Sequence, residues 1–515
     1  MKGLYDDAVK IGGYPVARDC EPMLKIILFS PLLLGLFITS ATAQQYDLVL
    51  AGGRVIDAET GLDAVRNVGI LNGTIARISS ETLNGRRVLN VGGLVVAPGF
   101  IDLHQHSQDL KNQHLKALDG VTTALELEIG VPDVATFLKI KEGRSIINYG
   151  TSASHVAARA AVFSTPLPSG GETAEAGIPE ILPKSGPATD QHATPEQIKA
   201  ILDRLGQQLD AGALAVGMGI QYTPGATRLE VIDTFRLAAE RHVPVYTHVR
   251  SAGRDEPGSA IESVSEVIGA SAISGAPLHI VHINSSCLRD SLECLSLIEG
   301  ARARGLDVTT EAYPYIAGMT SINSALFNPG WQDKLGISYE NLVLPNTGEH
   351  LNKQRFDELH NSNKTNLVLV FANTQEIVDK LIPHPLVMVA SDGGEGHPRN
   401  AGTYSRVLRQ YVRENGSIRL VDAIRKMTLM PAQMLERSTP QARKKGRLQE
   451  GVDADIVVFD PDTITDRSTF DKPSEPSVGV HYLVVAGTLV VDQGHVVANV
   501  FPGRALLGPG KSKRE

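Results

Sequence analysis

Apolar runs alternate with amphipathic segments through the middle of the chain. The segment before the fourth run is typical of a helix, because Thr194 and Gln197 form a capping box and apolar residues follow at helical spacing up to Leu209. Repeated βα units predict a parallel sheet, and eight of them predict a (β/α)8 barrel, an α/β fold. The eight runs are 95–104, 122–129, 147–154, 213–220, 244–248, 278–283, 307–313 and 386–391.

Similar β segments stand near the two ends of the chain. YDLVLAGGRVID at 46–57 and YLVVAGTLVVD at 482–492 each predict a strand, a glycine turn and a second strand. We therefore expect a small β-sandwich domain made from both chain ends, with the barrel inserted between its two parts. The expected bounds are 44–94 and 441–503 for the sandwich, 95–440 for the barrel and 504–515 for a polar tail.

An apolar run near the N-terminus predicts an export signal. IILFSPLLLGLFITS at 26–40 precedes Ala41-Thr42-Ala43, which has the small-x-small form of a signal-peptidase site. We expect 1–43 to hold a signal peptide cleaved near Ala43, with Met1 or Met23 as the start. The run is short and contains Pro31, which argues against a membrane anchor. The mature protein is thus expected in the periplasm or secreted, with no stable membrane anchor after cleavage.

Composition narrows the class of partner. The chain has 515 residues, of which 42% are hydrophobic, so a large core can form. Its net charge of -8 offers no basic stripe for phosphates, which excludes nucleic acid and favours a small-molecule substrate. Cys287 and Cys294 allow at most one disulfide after cleavage, and we do not expect the fold to depend on them. The oligomeric state stays open.

Histidines and a carboxylate stand at the ends of the apolar runs. VVAPGFIDLHQHS at 95–107 places His104 and His106 two residues apart, so both imidazoles leave a strand on the same face. Four imidazoles and one carboxylate suit zinc, and the carboxylate can also accept a proton from bound water. We expect His279, three residues before the candidate ligand His282, to lie in the barrel wall. The further candidate ligands are His248, His282 and Asp392.

Two acidic residues on the second run raise the question of a second metal ion. In TTALELEIG at 122–130, Glu126 and Glu128 alternate with apolar residues, so both are expected to face the barrel interior. A buried carboxylate requires a positive partner. Glu128 is nearer the mouth, and we expect it to bridge two ions with Glu126 behind it; the reverse assignment, or a salt bridge to Arg159 or Arg250, stays open. One or two Zn²⁺ ions per chain are expected.

Further motifs accompany these residues over nearly all of 46–500. They are PGFIDLHQH at 98–106, THVR at 247–250, IVHIN at 280–284, TTEAYPY at 309–315 and SDGGEGHPR at 391–399. As a set they resemble the amidohydrolase superfamily, and within it the branch of D-aminoacylases and N-acyl-D-amino-acid deacylases. The resemblance implies a metal-dependent (β/α)8 barrel beside a small β-sandwich.

The sequence departs from that branch at two positions. Where D-aminoacylases have a cysteine ligand after the second strand, this chain has Ile129 preceded by Glu128, which leaves the number of metal ions open. Where D-aminoacylases have a lysine two residues past the histidine that corresponds to His282, this chain has Asn284. GMGIQYTPG at 217–225 contains no lysine, so the carboxylated lysine of cyclic-amide hydrolases is absent as well.

The expected activity is hydrolysis of a carbon–nitrogen bond other than a peptide bond by metal-bound hydroxide. The resemblance implies deacylation of N-acyl-D-amino acids, with Asp392 as the catalytic proton shuttle. It also places Tyr222 and Arg399 at the substrate's α-carboxylate, although barrel-mouth packing and a helix-start arginine are the plainer alternatives. A dipeptidase, lactonase or deaminase on the same metal site, or an inactive exported binding protein, are the other possibilities.

Two more arginines bear on the substrate's side chain. Arg159 and Arg250 lie close after predicted strand ends and have no obvious acidic partner in the sequence. Clustered guanidinium groups favour a second anionic group on the substrate, so an N-acyl-D-glutamate-like compound is expected. The alternative is that these arginines serve the protein's own carboxylates.

Overall fold

The computed structural model describes residues 45–165, 185–362, 364 and 366–512. The predicted signal peptide at 1–43 lies outside these residues and stays a prediction. Five strands open the described chain. They are β1 Tyr46–Asp57, β2 Leu62–Leu71, β3 Thr74–Ser79, β4 Gly85–Asn90 and β5 Val95–Pro98.

Eight parallel strands form the central sheet. The strands are β6 Phe100–Asp102, β7 Val121–Val131, β8 Asn148–Ser154, β9 Val216–Gly219, β10 Val245–His248, β11 Leu278–Ile280, β12 Val308–Ala312 and β16 Val387–Val389. Between β12 and β16 in the chain come β13 Gly318–Ser321, β14 Leu342–Val343 and β15 Leu367–Val370. Each of the eight strands overlaps one predicted apolar run, so the barrel prediction is confirmed. Their order in the sheet is β16-β12-β11-β10-β9-β8-β7-β6, and a parallel bridge between Gln105 and Gly393 joins the first and last strands beyond their ends.

Helices cover the outside of this barrel. Their apolar faces pack on the outward side chains of the strands, and Phe235, Val245 and Val264 in this core are fully buried. The predicted capping box of Thr194 and Gln197 is present at the start of the helix Pro195–Asp210. The helices are α1 Leu110–Leu118, α2 Val134–Lys141, α3 His155–Val162, α4 Pro187–Asp190, α5 Pro195–Asp210, α6 Arg228–Glu240, α7 Ala260–Ser274, α8 Ile283–Ser286, α9 Ser291–Ala303, α10 Trp331–Leu335, α11 Lys353–His360, α12 Gln375–Leu381, α13 Arg399–Arg406, α14 Leu420–Met427, α15 Leu429–Leu435 and α16 Pro509–Ser512.

A second sheet joins the two ends of the described chain. Its C-terminal strands are β17 Ile456–Phe459, β18 Val480–Val485, β19 Thr488–Asp492 and β20 His495–Val496. β17 pairs antiparallel with β5, and β5 pairs parallel with β1, so nine strands from both ends form one sheet. Leu50, Val68 and Val484 are fully buried in its own apolar core. The expected β domain from both chain ends is thus confirmed, while its exact bounds stay predictions.

Two smaller expectations concern the membrane and the cysteines. In the part of the chain that the structure describes, no helix is long and apolar enough to cross a membrane. Cys287 and Cys294 form the one disulfide that the sequence allows. Cys287 directly follows α8 and Cys294 lies in α9, so the disulfide links these two helical segments.

A buried ion pair fixes α3 against α6. Arg159 is fully buried, and its Nη1 lies 2.6 Å from both carboxylate oxygens of Glu230. Its other nitrogens donate to the carbonyls of Ala188 and Gln191, each at 2.7 Å. The expectation that Arg159 lacks an acidic partner and binds substrate is therefore wrong, because packing of the two helices brings Glu230 to it.

We expect Glu230→Gln to lower the free energy of unfolding by about 3–5 kcal/mol, since it leaves the buried guanidinium without a counter-charge. Urea denaturation measures the change. Asp233→Asn on the same helix is the matched control, because Asp233 pairs with an arginine that is 53% exposed and should cost under about 1 kcal/mol. A Glu230→Gln protein as stable as the wild type would contradict this role.

Candidate metal centre

The structure brings all six predicted ligands together at the C-terminal ends of the barrel strands. Two follow β6, one lies in β7, one ends β10, one follows β11 and one follows β16. Each is at most 5% exposed. They are His104, His106, Glu128, His248, His282 and Asp392.

Glu128 stands at the centre of this cluster. Its Oε1 lies 2.9 Å from His248 Nδ1 and 3.0 Å from His282 Nε2. Its Oε2 lies 3.1 Å from His104 Nε2 and 3.3 Å from His106 Nε2. One carboxylate therefore offers a separate oxygen to each pair of histidines, which is the arrangement a bridging ligand requires.

The spacing of the ligand atoms fits a divalent metal ion. Ligands bound tetrahedrally to zinc at 2.0–2.1 Å lie about 3.3 Å from one another. His104 Nε2 and His106 Nε2 are 3.1 Å apart, and Asp392 Oδ1 is 3.4 Å and 3.0 Å from these two atoms. With Glu128 Oε2 they form one donor set, and Glu128 Oε1 with His248 and His282 forms a second. The residues present thus fit two adjacent metal ions that share Glu128.

The electrostatics of the cluster also favour a cation. Burial opposes ionisation of Glu128, yet His104 and His282 outweigh it and hold the pKa of Glu128 well below its usual range. Burial likewise opposes the charged form of His104, but Asp392 and Glu128 raise its pKa to about 10. Burial lowers the pKa of His248, which disfavours its charged form. A metal ion can replace the proton that the carboxylates hold on His104, since metal ligands bind in their deprotonated form.

Two further carboxylates hold the first pair of histidines from behind. Glu126 Oε2 lies 2.5 Å from His106 Nδ1, the supporting position expected for it. Glu311 Oε1 lies 2.7 Å from His104 Nδ1. Burial opposes ionisation of Glu311, but His104 and His279 outweigh it and lower the pKa of Glu311 to about 2. Such partners fix the orientation of a metal-binding imidazole. Sequence reasoning missed Glu311, although an interior carboxylate in TTEAYPY was the available signal.

His279 corrects an expectation about the barrel wall. Its Nε2 lies 3.1 Å from Glu311 Oε2, and its ring packs beside Tyr246 inside the barrel. β11 ends at Ile280, and His282 has a φ of 27°, so the alternation of strand faces breaks before the ligand. Both histidines therefore face inward, which strict strand periodicity does not allow.

Backbone irregularities aim several of these groups. His282 and Asp392 have φ values of 27° and 50°, conformations that cost free energy outside glycine and that occur often at functional sites. β7 is irregular between Glu126 and Val131, where Gly130 has a φ of 72°. A Cβ at Gly130 would lie 2.5 Å from the carbonyl oxygen of Ser152. The bulge lets Glu128 reach the mouth of the barrel.

A buried lysine links the strands that carry Asp392 and the first histidine pair. Lys116 Nζ donates to Asp102 Oδ2 at 2.9 Å and to Ser391 Oγ at 2.6 Å. Ser391 Oγ also donates to the same carboxylate oxygen at 2.5 Å. Asp102 precedes His104 by two residues, so this network sets both ligand-bearing turns relative to each other.

Arg399 lies fully buried beside Asp392. Its Nη1 is 2.8 Å from Asp392 Oδ2, close enough for an ion pair although without hydrogen-bond geometry. Its guanidinium stacks over the ring of Tyr313 at 4.5 Å. Among the described residues, Nε, Nη1 and Nη2 have no hydrogen-bond partner. Burial opposes ionisation of Asp392, and Arg399 and His104 outweigh it and lower the carboxyl pKa.

A cavity opens from the metal ligands toward the segment between β12 and β16. Its far wall is mainly apolar and is formed in part by Leu288, Leu335 and Val370. Tyr222 lines it, with its ring 5.1 Å from that of His248 and its hydroxyl accepting from Thr320 Oγ1 at 3.3 Å. Of the described residues that line this cavity, none is lysine or arginine.

Arg250 is paired within the protein in this arrangement. Its Nε and Nη2 donate to the two carboxylate oxygens of Glu266 at 2.8 Å and 2.6 Å, and its Nη1 donates to the carbonyl of Pro224. The expectation that Arg250 lacks an acidic partner is wrong, because α7 brings Glu266 to it from 16 residues away. With Arg159 paired to Glu230, both arginines serve the protein's own carboxylates.

Comparison with known proteins finds similar sequences over most of the chain. A model of the amidohydrolase family matches residues 272–491. A D-aminoacylase from Alcaligenes xylosoxydans xylosoxydans is 29% identical over 492 residues, which cover 88% of this chain and 96% of that protein. An N-acyl-D-glutamate deacylase from the same organism is also 29% identical, over 481 residues that cover 87% and 94%.

Solved structures share the fold. A D-aminoacylase with a binuclear metal centre has a TM-score of 0.75 at 24% identity and covers 89% of this chain and 99% of its own. N-acyl-D-glutamate deacylase from Bordetella bronchiseptica, complexed with zinc and a phosphonate inhibitor, has a TM-score of 0.74 at 24% identity, covering 90% and 100%. The chain thus shares the fold of these proteins, and its sequence is similar to the amidohydrolase family and to D-aminoacylases and N-acyl-D-glutamate deacylases.

Proposed function

We propose that this protein is a metal-dependent amide hydrolase that removes the acyl group from N-acyl-D-amino acids. The observation that carries the proposal is the Glu128 carboxylate, which offers one oxygen to each of two histidine pairs. Zinc is the proposed metal, because imidazole and carboxylate donors at these spacings suit it. Relatives named for deacylation of N-acyl-D-amino acids cover most of the chain, which supports this choice of reaction.

The chemistry follows from the positions of the charged groups. A divalent ion at His248, His282 and Glu128 would polarise the scissile carbonyl and lower the pKa of the attacking water. Asp392 is placed to take the proton from that water and to pass it to the leaving nitrogen, so the amine leaves neutral. Arg399 carries the planar fork that binds a carboxylate, and its unpartnered N–H groups support a role at the substrate's α-carboxylate.

The cavity favours an uncharged substrate side chain. The glutamate expectation depended on Arg159 and Arg250, and both are paired with the protein's own carboxylates. The identity of 29% to a D-aminoacylase and to an N-acyl-D-glutamate deacylase does not separate the two specificities. Leu288, Leu335 and Val370 instead support an apolar group in the cavity. We therefore propose N-acyl-D-amino acids with uncharged side chains as the substrates.

The first test concerns the metal. After chelation and dialysis against zinc, the wild type should regain activity and bind two ions per chain, and Glu128→Ala should bind fewer because the shared ligand is lost. Elemental analysis measures this. Glu126→Gln is the matched control: it should weaken zinc binding about ten- to a hundredfold yet keep both sites at saturation, since it supports His106 from behind. Activity in fully metal-free protein, or two ions in Glu128→Ala, would refute the assignment.

The second test concerns the proton shuttle. Asp392→Asn should lower kcat about a hundred- to ten-thousandfold with a small change in KM, because general acid–base catalysis contributes about that much. Zinc content is measured alongside, since Asp392 is also a ligand candidate. Glu395→Gln, at an exposed acid that pairs with Lys111, should keep normal turnover. Near-normal kcat in zinc-loaded Asp392→Asn would rule out this role.

The third test concerns the side chain. Wild-type kcat/KM should be about ten- to a hundredfold higher for N-acetyl-D-leucine than for N-acetyl-D-glutamate, because a side-chain carboxylate in the cavity would be desolvated and no lysine or arginine is among the described residues that line it. Steady-state kinetics on the zinc-loaded protein measure the ratio. Equal rates, or a preference for glutamate, would show that a cation outside this cavity reaches the side chain.

A further inference from the structure

Asn284 presents an unsatisfied hydrogen-bond acceptor to the cavity. It lies in α8, two residues past His282, lines the cavity and is 1% exposed. Its Nδ2 donates to the carbonyl of Tyr313 at 3.2 Å, while Oδ1 has no partner among the described residues. An unpaired buried acceptor costs about 1–3 kcal/mol. A bound molecule that donates a hydrogen bond here would remove that cost.

The orientation of this amide is set by its neighbours. Turning the amide over would bring Oδ1 against the carbonyl oxygen of Tyr313, and two acceptors would then face each other. The carbonyl of Asn284 itself accepts from Asn373 Nδ2 at 2.6 Å, which holds this part of the chain in place. Asn284 Oδ1 is therefore the acceptor left without a partner among the described residues, while the Tyr313 carbonyl takes one of the two N–H groups of Nδ2.

The neighbouring charge restricts what the donor can be. A carboxylate would be repelled by Oδ1, and the cation nearby, Arg399, stacks on the ring of the same Tyr313. Tyr313 thus contacts Arg399 through its ring and the Asn284 side-chain amide through its carbonyl. An N-acyl amino acid carries its carboxylate and its amide N–H on the same α-carbon, so these two groups match the pair.

We propose that Asn284 Oδ1 accepts the hydrogen of the scissile amide nitrogen, and that this contact makes the enzyme select N–H amides over esters. The proposal rests on the deacylase function proposed above. Asn284 then determines specificity through direct contact with the substrate. It also orients the leaving nitrogen for the proton that Asp392 delivers.

The test compares an amide with its ester isostere. N-acetyl-D-leucine and the O-acetyl ester of D-2-hydroxy-4-methylpentanoate differ only in that oxygen replaces N–H. Asn284→Leu should lower kcat/KM for the amide about ten- to a hundredfold, and for the ester less than about threefold. Because each substrate is compared with its own wild-type rate, the difference in intrinsic reactivity between the amide and the ester drops out.

Two variants complete the experiment. Asn284→Asp keeps an acceptor oxygen and should retain the amide preference even if its rates fall. Ser285→Ala, at the next cavity-lining residue, should change both substrates in parallel. Suppose that the wild type cleaves the amide and that Asn284→Leu lowers kcat/KM equally for the amide and the ester. Asn284 then only packs the cavity, so this inference is wrong while the deacylase function stands. If the zinc-loaded wild type cleaves no N-acyl-D-amino acid, the proposed function is wrong and the inference falls with it.

Discussion

A carboxylate buried among four imidazoles is the interaction on which this structure depends. Glu128 is 1% exposed, and a charge so far from water persists only with positive partners around it. Its neighbours come from strands far apart in the sequence, so the cluster can form only when the barrel closes. The bridge between Gln105 and Gly393, next to His104 and Asp392, makes that closure at the level of the ligands. Closing the barrel and assembling the site are thus the same event.

Charge alternates outward from that centre. Behind His106 lies Glu126 and behind His104 lies Glu311, so each imidazole of the first pair has a carboxylate on either side. The second pair differs: His282 Nδ1 meets the hydroxyl of Ser286, and His248 Nε2 has no partner among the described residues. The two halves of the site therefore hold different amounts of negative charge.

The sequence predicts what depends on local pattern. Apolar runs and the residues that end them locate the barrel strands and all six ligands, because side-chain direction follows strand periodicity. That rule fails at His279, since the backbone turns at His282. The partners of Arg159 and Arg250 lie on helices, and a sequence does not show how neighbouring helices align. The free acceptor of Asn284 is likewise visible only once Tyr313 and the cavity are placed around it.

The pairing of those two arginines has a consequence for substrate charge. Arg399 is the cation that the structure places beside the metal ligands, and it already faces Asp392 at 2.8 Å. One guanidinium can bind a single substrate carboxylate through its remaining N–H groups, and a second carboxylate would enter a cavity lined by Leu288, Leu335 and Val370. Desolvating that second carboxylate would cost several kcal/mol, and no ion pair with the described lining residues would offset this cost. Under the proposed function, the pairing of Arg159 and Arg250 with the protein's own carboxylates therefore bears on substrate charge as much as the residues that line the cavity do.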